Sequence, residues 1–255
     1  SFFKYGEKVS YRNVIYTLGS CDPIINTEVK TFKSEKNLLI AFTNLINNED
    51  PEIITGYNIL GFDTPWLFKR AKELDIEERF SKLSKIKDYE CKIKVRQQKS
   101  SVGQLIKVEF VDIPGRIQMD IYKLVQNGYN LDSYKLDNVA SGFIQGGVKS
   151  LEYINEQTII KTDNILGLNN KNFIIFIEKN GYLEDKYLDG KKYEIQEIRP
   201  GEIVVNGKVE LRLESHKCTW NLGKDDVTPK DIFRLQKGNS YDRYIIAKYC
   251  MMDVI

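Results

Sequence analysis

The stretch Asp50-Pro51-Glu52-Ile53-Ile54-Thr55-Gly56-Tyr57-Asn58-Ile59-Leu60-Gly61-Phe62-Asp63-Thr64-Pro65 constrains the fold more than any other part of the chain. Ile53-Ile54-Thr55 is β-branched throughout, which suits a short buried central strand from Glu52 to Thr55. A glycine-containing turn follows. Thr64-Pro65 then reads as an N-cap and first helical residue, because the Thr oxygen accepts an orphan amide and Pro has none to leave unpaired. Trp66, Leu67, Phe68, Ala71 and Leu74 give the helix from Phe62 to Leu74 an apolar face that packs back on the sheet. Asp63 therefore stands where a strand ends and a helix begins, a place where open α/β sheets collect function. Capping of that helix is the competing role, and on the local pattern alone it stands slightly ahead.

The flanks extend this pattern. Val9 to Tyr16 and Glu28 to Phe32 read as strands about a turn at Ser20-Cys21-Asp22-Pro23. Ser34 caps a helix whose Leu38, Leu39, Phe42, Leu45 and Ile46 form one stripe. Strand, strand, helix, strand, helix predicts an α/β layered fold. From Tyr89 to Asp112, alternating segments at Cys91–Arg96 and Leu105–Phe110 flank a polar stretch, predicting a long β-hairpin. For its Lys/Arg-bearing first strand, a solvated face and a phosphate-backbone contact weigh equally. Ile117 to Val125 reads as a strand running into a helix, and Tyr134 to Ile144 as an amphipathic helix.

The texture changes between about 161 and 222. Phe173–Glu178, Tyr193–Ile198, Glu202–Val205 and Lys208–Glu214 read as short strands, with hairpin turns at Asp189-Gly190 and Asn206-Gly207. That spacing predicts a small barrel-like β module inserted into the α/β domain. Helices return at Thr228-Pro229-Lys230-Asp231, a capping box, and at Ser240, which caps a last helix. Tyr249 and Asp253 share one face of it, a pairing that in isolation is an ordinary helix surface.

Composition excludes several chemistries. His216 is the single histidine among 255 residues, so a multi-His metal site or His catalysis is nearly excluded. Cys21, Cys91, Cys218 and Cys250 lack zinc or disulfide spacing. Any metal would be a hard cation held by carboxylates and water. With 38 Lys and Arg against 36 Asp and Glu, the charge neither demands nor forbids nucleic acid. The lack of a signal peptide and of a run of about 18 apolar residues reads as an intracellular soluble protein. Ser1-Phe2-Phe3 at one end and Asp253-Val254-Ile255 at the other read as the ends of a piece cut from a longer chain.

Together these stretches resemble the 3′→5′ proofreading exonuclease domain of B-family DNA polymerases, on the polymerase delta branch. Asn58-Ile59-Leu60-Gly61-Phe62-Asp63 is similar to the family's second exonuclease motif, Asn-x-x-x-Phe-Asp. Tyr249-Cys250-Met251-Met252-Asp253 is similar to the third, Tyr-x-x-x-Asp. Gly115-Arg116-Ile117-Gln118-Met119-Asp120 resembles the family's Gly-Arg-Val-x-x-Asp, and Arg12-Asn13-Val14 with Cys21-Asp22-Pro23-Ile24 the region before the second motif. The β insert, with Gly223 to Val227 and Asp231 to Gln236 after it, looks like the polymerases of large double-stranded DNA viruses. The first motif, Asp-x-Glu, has no counterpart in place; Asp75-Ile76-Glu77 follows the second motif and reads as coincidence.

The resemblance implies an RNase H-like exonuclease fold, a mixed central sheet flanked by helices, over 1–160 plus 226–255, with 161–225 as the inserted module. It implies proofreading by phosphodiester hydrolysis with two Mg²⁺ about 3.5–4 Å apart. Asp63 and Asp253 would ligate metal, Tyr249 would orient the attacking water, and Asn58 and Phe62 would contact the frayed primer terminus. Asp120 reads first as structural. In the family the first motif precedes the start of this chain, so the two-ion site is expected to be incomplete and the isolated chain largely inactive. Expected partners are primer–template and single-stranded 3′ DNA, the rest of the polymerase chain and a sliding clamp, at replication sites in the nucleus or viral factory, with no membrane. The rival readings are a non-catalytic DNA- or partner-binding module and a stand-alone RNase H-like exonuclease.

Overall fold

In the computed structural model, which describes residues 1–7, 9–99, 105–223 and 227–252, the chain divides into two units: 1–130 with 227–255, and 131–226. The first unit opens with β1 (Val14–Leu18) and β2 (Glu28–Phe32), which pair in parallel. The strand expected from Val9 starts later. Tyr11 and Arg12 are engaged instead by an isolated bridge to Phe2 and by side-chain bonds to Glu28 and Glu49. Ser34 caps α1 (Glu35–Glu49) through a bond from the Asn37 amide, as its position predicts. Asp50 ends the helix in the left-handed conformation, returning its amide to the Ile46 carbonyl.

Next come β3 (Ile53–Gly56), α2 (Thr64–Glu73), the short α3 (Glu77–Phe80), the antiparallel pair β4 (Ile93–Lys99) and β5 (Leu105–Val111), β6 (Ile117–Asp120) and α4 (Ile121–Gly128). The core gathers Leu39 and Ile46 of α1, Phe68 and Ala71 of α2, and Phe80, with Cys91 and Val111 closing it. Phe68 meets Phe80 edge-on at 5.2 Å; burying each such ring contributes about 1.5–3 kcal/mol. The strand expected to be buried and central is neither: β3 pairs in parallel with β6, Thr55 is exposed and Ile53 is 43% exposed. A β-branched run reports strand propensity, whereas burial depends on what covers the strand.

The second unit begins earlier than the expected boundary at 161. It holds α5 (Leu136–Phe143), then β7 (Gln145–Ile154), β8 (Gln157–Thr162), β9 (Phe173–Asn180), β10 (Leu183–Lys186), β11 (Tyr193–Arg199), β12 (Glu202–Asn206) and β13 (Lys217–Gly223). Asn221 Nδ2 donates to the Ser141 carbonyl and the Leu222 amide to the Ile144 carbonyl, tying α5 to this unit. The strand order is β10-β9-β11-β12-β8-β7-β13, and β13 pairs back onto β9, so six antiparallel strands close into a barrel with β10 hairpinned onto one of them. Its core includes Ile160, Ile174, Phe176, Ile195, Ile203 and Trp220, all fully buried. Trp220 Nε1 donates to Thr162 Oγ1 at 2.7 Å, which satisfies the indole without water.

Three turn and strand expectations change here. The hairpin turns are Asn155-Glu156, both left-handed, Gly181-Tyr182, and Pro200-Gly201 with Gly201 at φ +74°. Asp189-Gly190 lies in a 3₁₀ turn between strands that both pair with β9, and Asn206-Gly207 ends β12 without returning a strand. Lys208–Glu214 is no strand. Its amides are taken by distant side chains instead of a ladder: Val209 by Thr158 Oγ1, Glu210 by the Tyr187 hydroxyl and Arg212 by the Glu178 carboxylate.

The chain then returns to the first unit with α6 (Pro229–Gln236) and α7 (Ser240–Met252). Thr228 and Asp231 form the expected reciprocal capping box. The cap of α7 falls on Asn239 rather than Ser240, because Asn239 and Asp242 exchange side-chain and amide bonds at 2.9 Å each. α7 packs on α6 and β1. Among the described residues no helix is long and apolar enough to cross a membrane.

Candidate functional site

The parallel pair β3–β6 ends with Gly56 opposite Asp120. Beyond Gly56 the backbone folds tightly: a Cβ on Gly56 would lie 2.5 Å from Ile59 Cγ2, and one on Gly61 would lie 2.9 Å from Asn58 Oδ1. Asn58 is left-handed at φ 60°, a conformation that Asn tolerates better than most residues. Residues 59–63 then form a π turn, with the Thr64 amide bonded five residues back to the Ile59 carbonyl, and run without interruption into α2.

This geometry bears on the capping role considered for Asp63. At φ −61° and ψ −52° it is already inside the coil, and its side chain makes no capping hydrogen bond. Thr64 is likewise a helical residue rather than the cap, because the π turn supplies the bond that a cap would have made. Asp63 is exposed to solvent, yet enough protein surrounds its carboxyl to push its pKa above the ordinary value. Burial is the larger cause; the negative charge of Asp120 adds to it, and Asp63's own backbone amide opposes it. Phe62 and Trp66, one turn apart on either side of Asp63, are 61% and 52% exposed.

Asp120 is the fixed point beneath this turn. Only 4% exposed, it accepts from the amides of Asn58 at 2.8 Å, Leu60 at 3.0 Å and Tyr122 at 3.0 Å. The last of these caps α4. Three N–H donors are how a buried carboxylate is held without a cation partner. Tyr57 packs edge-on to Tyr122 with centroids 5.5 Å apart, a second tie between the same two strand ends. At the other end of β3, the buried Arg116 donates to the Leu83 and Pro51 carbonyls, which fixes the entry to the strand. Asp120 carries a recognisable local signal, an Asp between a strand and a helix start, but nothing local shows its bonds to residues some 60 positions earlier.

Of the expected site residues, three fall on one short segment and one on a helix that packs on α6 and β1. Asn58, Phe62 and Asp63 share one turn, and Tyr249 is half-buried on α7 of the same unit. Asp253 lies outside the described residues. Among the described residues no group of three or more His, Cys, Asp or Glu is arranged to hold a metal ion. Asp63 is a suitable hard oxygen donor by its chemistry and exposure, whereas both oxygens of Asp120 already accept amides. On the antiparallel pair β4–β5, Lys94 bonds Asp112 at 2.5 Å, which neutralises part of the basic first strand. Residues 100–104, in the polar stretch between the two strands, lie outside the described residues.

Residues 1–139 match the family described as DNA polymerase family B, exonuclease domain. The chain is 39% identical over 251 residues to a DNA polymerase of Pyramimonas orientalis virus, covering 98% of this chain and 19% of that protein. It is 33% identical to a DNA polymerase of Phaeocystis pouchetii virus, covering 99% of this chain and 26% of that protein. The DNA polymerase delta catalytic subunit of Arabidopsis thaliana is 30% identical over 72% of the chain and 16% of that subunit. The chain thus spans about a fifth to a quarter of the length of the viral polymerases it matches. The two viral matches run across the barrel, whereas the family match stops inside α5. The chain belongs to the exonuclease-domain family of family B DNA polymerases.

Proposed function

We propose that the chain is the 3′→5′ proofreading portion of a replicative DNA polymerase, with an RNase H-like fold in its first unit, and that it removes mismatched 3′-terminal nucleotides by hydrolysis. The observation that carries this reading is Asp63: an exposed, uncapped carboxylate on a tightly held turn, in a chain of this family. Asp63 and Asp253 would hold the metal, and Mg²⁺ bound there would supply a water acidic enough to attack near neutral pH and would stabilise charge on the leaving 3′ oxygen. Tyr249 orients the attacking water, and Asn58 and the exposed ring of Phe62 hold the unpaired terminus, for which base stacking on an aromatic face is sequence-tolerant. Primer–template DNA, the rest of the polymerase chain and a sliding clamp are the partners in this reading, and a replication site is its location.

A second reading applies to residues 131–226 alone. Their barrel is closed on itself and lies almost wholly beyond the family match, which suits a DNA- or partner-binding module. The test of the main reading is a primer with a single 3′ mismatch, given to the full polymerase with Mg²⁺ and no nucleotides. The mismatched nucleotide is released as a monophosphate. An intact primer, from enzyme that still extends a matched primer once nucleotides are added, would overturn the assignment.

A further inference from the structure

We propose that Asp120 is a positioning residue for Asp63, acting through the backbone of residues 58–60. This rests on the exonuclease reading of Asp63. The two residues belong to different segments, 57 positions apart, yet one buried carboxylate fastens them. Asp120 Oδ1 takes the amides of Asn58 and Tyr122, and Oδ2 takes the amide of Leu60. Asn58 and Leu60 sit at the start of the turn that delivers Asp63, on either side of Ile59, whose carbonyl closes the π turn. Residues 59–63 form one continuous hydrogen-bonded turn that passes close to the Ile59 and Asn58 side chains at Gly56 and Gly61, so a shift at residues 58–60 carries to residue 63. Asp120 is not itself a catalytic group: its oxygens face backbone amides and it is buried, although its charge reaches the Asp63 carboxyl.

Asn at this position keeps the shape but not the acceptors. One oxygen becomes an NH₂, which must then face an amide donor, so one side of the fastening is lost. Misplacing a catalytic group by about 1 Å costs about 100-fold in rate. In the full polymerase, Asp120→Asn is therefore expected to lower the rate constant for release of a 3′ nucleotide from single-stranded DNA by about 10- to 100-fold. It is expected to raise the Mg²⁺ concentration at half-maximal rate and to leave the polymerisation rate unchanged. Ser34→Ala, which removes the cap of α1 away from this turn, is the control for simple destabilisation and leaves the Mg²⁺ dependence where it was. Hydrogen exchange on the unmodified protein adds a reading that needs no variant: the amides of Asn58 and Leu60 exchange slowly.

Each outcome bears on the claim. Asp120→Asn with the original rate and Mg²⁺ dependence, in an active polymerase, overturns the positioning role and leaves the exonuclease reading intact. Amides of Asn58 and Leu60 that exchange as fast as those of an open loop overturn it as well, even where the variant fails to fold. A polymerase that releases no 3′ nucleotide at all overturns the exonuclease reading, and this inference with it.

Discussion

Each of the two units carries one of the two tryptophans, and the contrast between them is the contrast between the regions. Trp220 is fully buried in the barrel, its indole N–H bonded to Thr162. Trp66 is 52% exposed on α2, beside Asp63. The barrel closes its ladder on itself around Trp220, Phe176 and four isoleucines, and its exposed apolar strand residues, Tyr153, Ile154 and Leu183, lie near hairpin turns. The α/β unit leaves Ile53 43%, Ile117 64% and Met119 37% exposed on β3–β6, while its core lies under α1 and α2. A closed barrel has few open edges, which suits it for stability. An open strand pair whose ends carry a tightly held turn is built to present that turn. In the proposed exonuclease reading, stability and chemistry are thus housed in different places.

The largest expected effect tests that separation. Trp220→Ala removes a fully buried indole and is expected to cost about 3–5 kcal/mol of barrel stability, read by denaturant titration. Trp66 is then the remaining tryptophan, and its emission is expected to stay unchanged at the denaturant concentration where the barrel melts. A Trp66 transition that moves together with the barrel would break the comparison, because the two units would then unfold as one.

A smaller effect sharpens the comparison through pH. Glu178 is buried in the barrel, and hydrogen bonds from the Arg212 side chain, with help from its amide, hold its carboxyl below the ordinary carboxylate range against the opposing effect of burial. A lowered folded-state pKa stabilises the protein above the unfolded value, and that stability is lost as pH falls through the folded value. The barrel's Tm is therefore expected to drop on acidification below about pH 4, the ordinary Glu range. Arg212→Ala lowers the Tm at neutral pH and narrows the gap to the parent protein in acid. Parallel pH profiles for the two proteins would contradict the assignment.

What was legible in the sequence follows the range of the interactions. The Ser34 cap, the β2 strand and the Thr228–Asp231 capping box are decided within a few residues, and each is found where its local pattern puts it. Lys208–Glu214 alternates like a strand, but its amides are claimed by Thr158, Tyr187 and Glu178, between 23 and 51 positions away. Asn206-Gly207 has the composition of a hairpin, yet the Gly207 amide goes to the Glu156 carbonyl. The place of β7 and β8 in the barrel is set by their pairing with β13 and β12, which no local pattern in residues 145–162 shows. At the site, Asn58, Phe62 and Asp63 were readable as a motif. The π turn that releases Asp63 from capping, and the three amides gathered by Asp120, depend on strand pairing and were not.

Asp63 is the residue on which the exonuclease reading rests. The direct measurement is release of the 3′-terminal nucleotide from a single strand labelled in turn at each end, by the full polymerase and by its Asp63→Asn variant, with polymerisation on a matched primer as the internal control. The parent enzyme is expected to shorten the strand from its 3′ end in Mg²⁺. The variant is expected to polymerise normally while its excision rate falls about 1,000-fold, the loss that corresponds to about 4 kcal/mol of transition-state stabilisation. A variant that excises at the parent rate would show that the carboxylate on this turn does not carry the chemistry.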